Sequence, residues 1–219
     1  ILTKDIVVNK GDVAGCEGTK TKGWREWTPI SYYFDQKMGD FDGKGHTISG
    51  LYCNDKNNDA GLFARAGHIR ISNVGVINSY IKGKENAGGI TAKNDSYGSI
   101  RNCYSICTVS GYDDNAKVGG ICGSNYKTGT IRNCYSEANV TGVVVGADIG
   151  GVVGENNGTV ENCYNTGNVV GNKWVGGVCG YNDGTNNNCY NTGKVTGTSY
   201  VGDVCGQNDK GTLTNCYYL

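Results

Sequence analysis

Proline, methionine and histidine are almost missing from this chain: Pro29, Met38, His46 and His68 are all there is of the three among 219 residues. The two histidines lie 22 positions apart and form no HExxH, which removes the metalloprotease helix. CxxC is missing despite eleven cysteines, so the usual zinc and redox spacings are not met. No glycine-rich segment opens a helix, and nucleotide binding lacks its motif. An excess of one charge is lacking too, since 20 basic and 20 acidic side chains cancel. A nucleic-acid groove or an anionic-membrane patch would need clustered positive charge. No apolar run approaches the roughly 18 residues of a spanning helix. The start is not basic-then-apolar, so Ile1 reads as the beginning of a mature or excised segment.

Glycine and asparagine are abundant instead, at 37 and 26 residues. Both tolerate positive φ, so the chain is built for many tight corners. Hydrophobic residues make up 37% and are regularly spaced, which separates it from disordered low-complexity sequence. The tripeptide Asn-Cys-Tyr occurs five times, with cysteines at Cys103, Cys134, Cys163, Cys189 and Cys216, spaced by 31, 29, 26 and 27 residues. A second signal keeps the same time: AGLFA at 60–64, GGITA at 88–92, GGICG at 119–123, GGVVG at 150–154, GGVCG at 176–180 and GDVCG at 202–206. A third places Val109, Val140, Val169 and Val195 six residues after the first four repeat cysteines, each followed two positions on by Gly111, Gly142, Gly171 or Gly197.

Such units hold short β-type runs punctuated by Gly and Asn, without the 3.6-residue period of a helix. A coil of about three strands exposes an apolar edge that only stacking can bury. The expected fold is all-β, a right-handed parallel β-helix of about eight coils of roughly 26–31 residues. Residues 1–59 are expected as irregular or capping coils. The repeats follow at 60–87, 88–118, 119–149, 150–175, 176–201 and 202–219, in one continuous domain.

Aligned coils place like residues over one another. Ile100, Ile131, Val160 and Leu213 form an apolar column, and Arg101, Arg132, Glu161, Asn187 and Thr214 its solvent-facing neighbour, where Arg132 and Glu161 can pair. Strict alternation from Ile131 would turn Cys134 outward; a left-handed bend at Asn133 resets the parity, Cys inward and Tyr outward. The cysteine ladder Cys103, Cys134, Cys163, Cys189 and Cys216 then reads foremost as stacked buried thiols. A second ladder runs through Cys122, Val153, Cys179 and Cys205, and Val153 marks that position as one for a small apolar group. Disulfides between adjacent coils are allowed by distance but less so by dihedral geometry. Zinc is least favoured, with neither histidine on a ladder.

The layout ILTKDIVVN, WTPIS at 27–31 and FDGKGHTISGLY at 41–52, followed by units such as GGVVGENNGTVENCYNTGNVVG at 150–171, resembles the GLUG repeat regions of bacterial surface proteins over nearly the whole chain. The resemblance implies an extracellular, cell-surface, modular part of a larger protein with an adhesive or spacing role. It implies no catalytic residues and no cofactor. Its partners would be a host or matrix glycan or protein and the adjacent domains of the same surface protein.

The rival class is a carbohydrate-active β-helix enzyme, a polysaccharide lyase or glycoside hydrolase, which needs clustered acids. Asp113, Asp114 and Asp148 are the best such group, in loops 112–117 and 143–148 that are three residues longer than their counterparts at 172–174 and 198–200. Tyr112, Trp174 and Tyr200 fall in equivalent variable loops, and Tyr126 and Tyr181 in another. Aromatic faces in a row suit sugar or peptide surfaces. The tyrosines beside the cysteine ladder, from Tyr104 to Tyr217, read as a structural stack. His46 reads as a corner residue.

Overall fold

The computed structural model describes residues 1–33, 39–95, 97–142 and 145–219. One turn of the winding illustrates all of it. Lys117–Gly119 runs through a glycine corner into Cys122–Asn125, then Thr130–Arg132, then Tyr135–Ser136 and Asn139–Gly142, and returns at Asp148–Gly150 one level on. Each strand pairs in parallel with its equivalent on the neighbouring turn, Lys117 with Asp148, Cys122 with Val153, Ile131 with Val160 and Tyr135 with Tyr164. The result is four stacked sheets, here called the short sheet (five strands, from Asn86–Gly88 to Ser199–Gly202), the asparagine sheet (seven, Ile30–Tyr33 to Cys205–Asn208), the isoleucine sheet (seven, Gly39–Asp42 to Thr212–Thr214) and the tyrosine sheet (twelve, Ile6–Val7 to Tyr217–Tyr218). The fold is the expected parallel β-helix.

The coil count is lower than expected. Two sheets hold seven strands each, so about six turns separate their first and last levels, not eight coils. The missing length lies near the N-terminus. Ile6–Val7 does join the tyrosine sheet beside Thr47–Ser49. Residues 10–25 then leave the stack, because Gly11, Gly18 and Gly23 at φ +93°, +84° and +91° break any extended rung, and the chain rejoins it where Glu26 bridges in parallel to Tyr52. That excursion buries Val13 against Tyr52 and Tyr80 in a small core of its own, and the Tyr52 hydroxyl donates to the Gly18 carbonyl at 2.7 Å.

The corners follow from residue chemistry. Asn73, Asn102, Asn133, Asn162, Asn188 and Asn215 all sit at φ between +49° and +55°. Each carboxamide from Asn102 onward donates to the one on the preceding level, at 3.0–3.3 Å. The left-handed bend reverses parity as expected: Cys103, Cys134, Cys163 and Cys189 are buried, and Tyr104, Tyr135, Tyr164 and Tyr190 are only partly covered. The first four tyrosine rings stack at 4.9–5.1 Å and within 6° of parallel. Such ring pairs contribute about 0.5–1.5 kcal/mol each beyond their buried area.

All eleven cysteines are free thiols. In the first ladder each donates to the carbonyl two residues before it, from Arg101 for Cys103 to Thr214 for Cys216, at 3.2–3.3 Å. In the second, Cys122, Cys179 and Cys205 donate to the carbonyl two residues after, and the Thr91 hydroxyl on the same column does likewise at 3.0 Å. Burial pushes the Cys134 thiol up, Cys53 to about 12 and Cys107, the extra cysteine beside the ladder, to about 11. Arg132 and Glu161 pair at 3.1 Å at the surface, Arg132 exposed and Glu161 partly covered, a contact worth about 0–1 kcal/mol.

One column of largely buried polar side chains was not foreseen. Asn94, Asn125, Asn156, Asn182 and Asn208 pass one hydrogen bond along the axis, amide to carbonyl oxygen, at 2.7–2.9 Å. Ala66 precedes Asn94 in this column, and Asn94 Oδ1 is left without a partner. The isoleucine column also contains a polar member: Asn186 lies between Val160 and Leu213, fully buried, with neither amide atom hydrogen-bonded.

The glycine pairs are dictated by close approach between levels. A Cβ on Gly120 would sit 2.2 Å from the Gly151 carbonyl oxygen, and one on Gly151 or Gly177 would sit 2.1 Å from the oxygen of Gly177 or Asp203. His46 holds its corner through the Asp5 carboxylate, 3.3 Å from Nδ1.

Candidate ligand-binding groove

The short sheet and the asparagine sheet meet at a closely packed corner. In the asparagine sheet, Cys122 pairs with Val153 and Ser124 with Glu155, skipping the glycines between them. At that skip a Cβ on Gly154 would lie 2.5 Å from the Val118 nitrogen and 2.8 Å from the Asp148 carbonyl oxygen, so the two sheets come nearly into backbone contact. The kink also turns outward the residue two positions after each inward thiol. One wall of the corner is therefore the column Arg65, Lys93, Ser124, Glu155, Tyr181 and Gln207. On the short sheet Val118 and Ile149 face the core, so Lys117 and Asp148 face out and form the other wall with Asn86. Trp174 and Tyr200 precede Val175 and Val201, which continue the Ile149 column, and so extend the same wall.

Between these walls lies a surface cleft of about 570 Å³. Lys93, Lys117, Ser124, Tyr126 and Glu155 line its length, with Tyr112, Asp113 and Asp114 at one side. Lys93 and Tyr126 are shared with a second cleft of about 500 Å³ that reaches His68 and the Arg65–Asp95 ion pair. The two make one groove. Ser124 donates to Glu155 Oε2 and Asn157 to Oε1, both at 3.0 Å, and Lys93 pairs with Asp59 at 2.9 Å.

The residues expected from the sequence divide. Trp174 and Tyr200 come together, with centroids 6.3 Å apart and the Lys173 ammonium 3.7 Å and 5.5 Å from the two rings. The Trp174 indole donates to Gln207 Oε1 at 3.0 Å, bridging the walls, and packs edge-on against Tyr181 at 6.2 Å. Tyr112 does not join them. It stacks one strand earlier, after the Gly83–Gly111 column, where its hydroxyl donates to Asn54 Oδ1 and the Lys82 ammonium covers its ring at 4.1 Å. Asp113 and Asp114 stay on the loop beside Tyr112, while Asp148 lies in the strand wall, 8% exposed. Residues 143 and 144 of its loop lie outside the described residues.

Asp148 stands on the short-sheet wall beside the cleft. Burial first, and then the Glu155 carboxylate, push its carboxyl up to about 7, against the opposing pull of Lys117 and Lys173. Its side chain has no hydrogen bond among the described residues. Lys93, Ser124, Glu155 and Gln207 were not singled out from the sequence. Their signal was a fixed phase, two residues after the second cysteine ladder, occupied by a different chemistry at each level. Among the described residues no group of three or more His, Cys, Asp or Glu side chains forms a metal site.

Comparison with known proteins matches the GLUG motif to residues 114–141 and 145–170, which supply the Lys117, Asp148 and Glu155 levels of the groove. No curated protein matches the sequence. Among solved structures, a "putative immunoglobulin A1 protease" from Bacteroides ovatus, determined at 1.30 Å, is similar over 99% of this chain and 67% of that one, with 26% identity and a TM-score of 0.78. With two matched motifs inside a stack of equivalent turns, this chain carries a GLUG repeat region.

Proposed function

We propose that this chain is a non-catalytic, extracellular β-helix module of a bacterial surface protein, and that it displays the groove to a glycan or protein of the host or matrix. The groove itself carries the reading. Other outward columns vary as well, Arg101, Arg132, Glu161, Asn187 and Thr214 among them, but the column Arg65, Lys93, Ser124, Glu155, Tyr181 and Gln207 is the one that forms a wall of the groove. A rigid array of dissimilar polar and aromatic groups about 4.8 Å apart suits an extended ligand better than a spacer.

The test is an array of glycans and matrix proteins probed with the intact chain and with Lys117→Ala and Trp174→Ala. The name of the Bacteroides ovatus neighbour adds immunoglobulin A1 to the proteins arrayed. The expected result is a ligand whose affinity drops about tenfold in either variant, with the thermal midpoint unchanged in Lys117→Ala and circular dichroism showing that Trp174→Ala, which loses its bridge to Gln207, still folds. Failure of every ligand to bind would leave spacing as the role.

One observation favours a second reading, a carbohydrate-active enzyme. A buried Asp148 whose carboxyl is pushed up to about 7, beside Glu155, resembles the division of labour between acid and base carboxyls in glycosidases. Chain shortening of a polysaccharide, lost in Asp148→Asn, would establish that reading over display.

A further inference from the structure

The proposed display role leaves the chemistry of the ligand open, and the groove floor narrows it. The first cleft is lined by four carboxylates, Glu85, Asp113, Asp114 and Glu155, against the ammonium groups of Lys93 and Lys117. Lys93 is already paired with Asp59. A polyanion meets net repulsion there. Tyr126 stands in the same cleft 42% exposed, an apolar ring face available beside hydrogen-bonding groups. On the adjoining wall, beside the cleft lining, Asp148 is 8% exposed, faces the same side as Lys117, and makes no side-chain hydrogen bond with a described residue, its oxygens keeping a narrow contact with solvent. A carboxyl with so little access to water gains from any ligand donor that reaches it.

We propose that this part of the groove is a subsite for a neutral pyranose of a glycan chain, its ring against Tyr126 and its hydroxyls donating to Asp148 and Glu155. The proposal rests on the display reading and names its ligand. Sugar hydroxyls match the site because they donate without bringing charge. They add nothing to the balance between Asp148 and Glu155 on one side and Lys117 and Lys173 on the other, the charged groups that act on Asp148 from the neighbouring rungs and the opposite wall.

A pH signature follows. Hydroxyl donors favour the ionised carboxylate, so binding draws the Asp148 proton off, and affinity must rise as the solution passes upward through pH 7. The difference between a charge-assisted and a neutral hydrogen bond predicts affinity about fivefold higher at pH 8 than at pH 6.

The experiment is calorimetric titration of the intact chain with gluco-, galacto- and manno-configured oligosaccharides and with matching uronic-acid oligomers, at both pH values. The expected result is binding of a neutral oligosaccharide that weakens at pH 6, with the pH dependence flattened in Asp148→Asn and binding lost in Tyr126→Ala. Circular dichroism on both variants checks that they fold, and Glu155→Gln provides a second acceptor variant. Tighter binding of a uronic-acid oligomer, a pH-independent affinity, or an unchanged pH profile in Asp148→Asn would each overturn the subsite while leaving display intact. Absence of any sugar binding alongside capture of an arrayed protein would overturn the glycan and keep display. Absence of both would remove the display reading as well.

Discussion

The isoleucine sheet and the groove corner share one chain path and the same spacing between levels, yet they use sequence in opposite ways. Inside the isoleucine sheet, Ile71, Ile100, Ile131 and Val160 occupy one column with hardly a change. At the corner, Lys93, Ser124, Glu155 and Tyr181 occupy one column with no two alike. Identical backbone geometry favours residues of like size and shape wherever a side chain touches its own copy on the next level. Where it touches solvent, each level is free to differ. Repetition therefore marks what holds the stack together, and its breakdown marks what the stack can offer.

That contrast is sharpest at the glycine pairs. Gly151→Ala places a methyl group where the Gly177 carbonyl oxygen already lies at 2.1 Å, and should cost about 3 kcal/mol, read as a lowered denaturation midpoint. Asn156→Ala interrupts the buried amide chain between Asn125 and Asn182 and should cost about 2 kcal/mol in the same measurement. Asn186→Val tests the rule from the other side. It restores the repeat and removes an amide with no partner, so stability should rise by about 1–2 kcal/mol. A loss of stability at 186 would mean that this amide has a role the column does not reveal.

Much of this was legible in advance, for a physical reason. Asn133 and its equivalents announce the corner because few other residues adopt positive φ cheaply, and the parity they impose turns Cys134 inward. The apolar column and the Arg132–Glu161 pair followed from phase alone. The groove was less legible, since a column of unlike residues leaves no repeat to detect. Trp174, Tyr200 and Asp148 were visible as unusual groups in variable loops, but their partners Glu155 and Ser124 looked like ordinary surface residues. Tyr112 was grouped with Trp174 because loop lengths differ between levels, and only the strand register separates the two columns. The count of coils came out lower because residues 10–25 fold beside the stack, a detour set by Gly11, Gly18 and Gly23.

The approach of each glycine to the carbonyl beyond it also sets a direction of growth. Gly89, Gly120, Gly151 and Gly177 each leave room for an oxygen on the following level, at 2.1–2.5 Å from where a Cβ would stand. Asp203 occupies the equivalent place on the last level and has a Cβ. A further rung copying this backbone would drive its oxygen into that atom. Unpaired strand edges are templates for addition, and one side chain here sets a condition on it: a rung stacked beyond Asp203 must pass residue 203 by a backbone path different from the one the glycine pairs share.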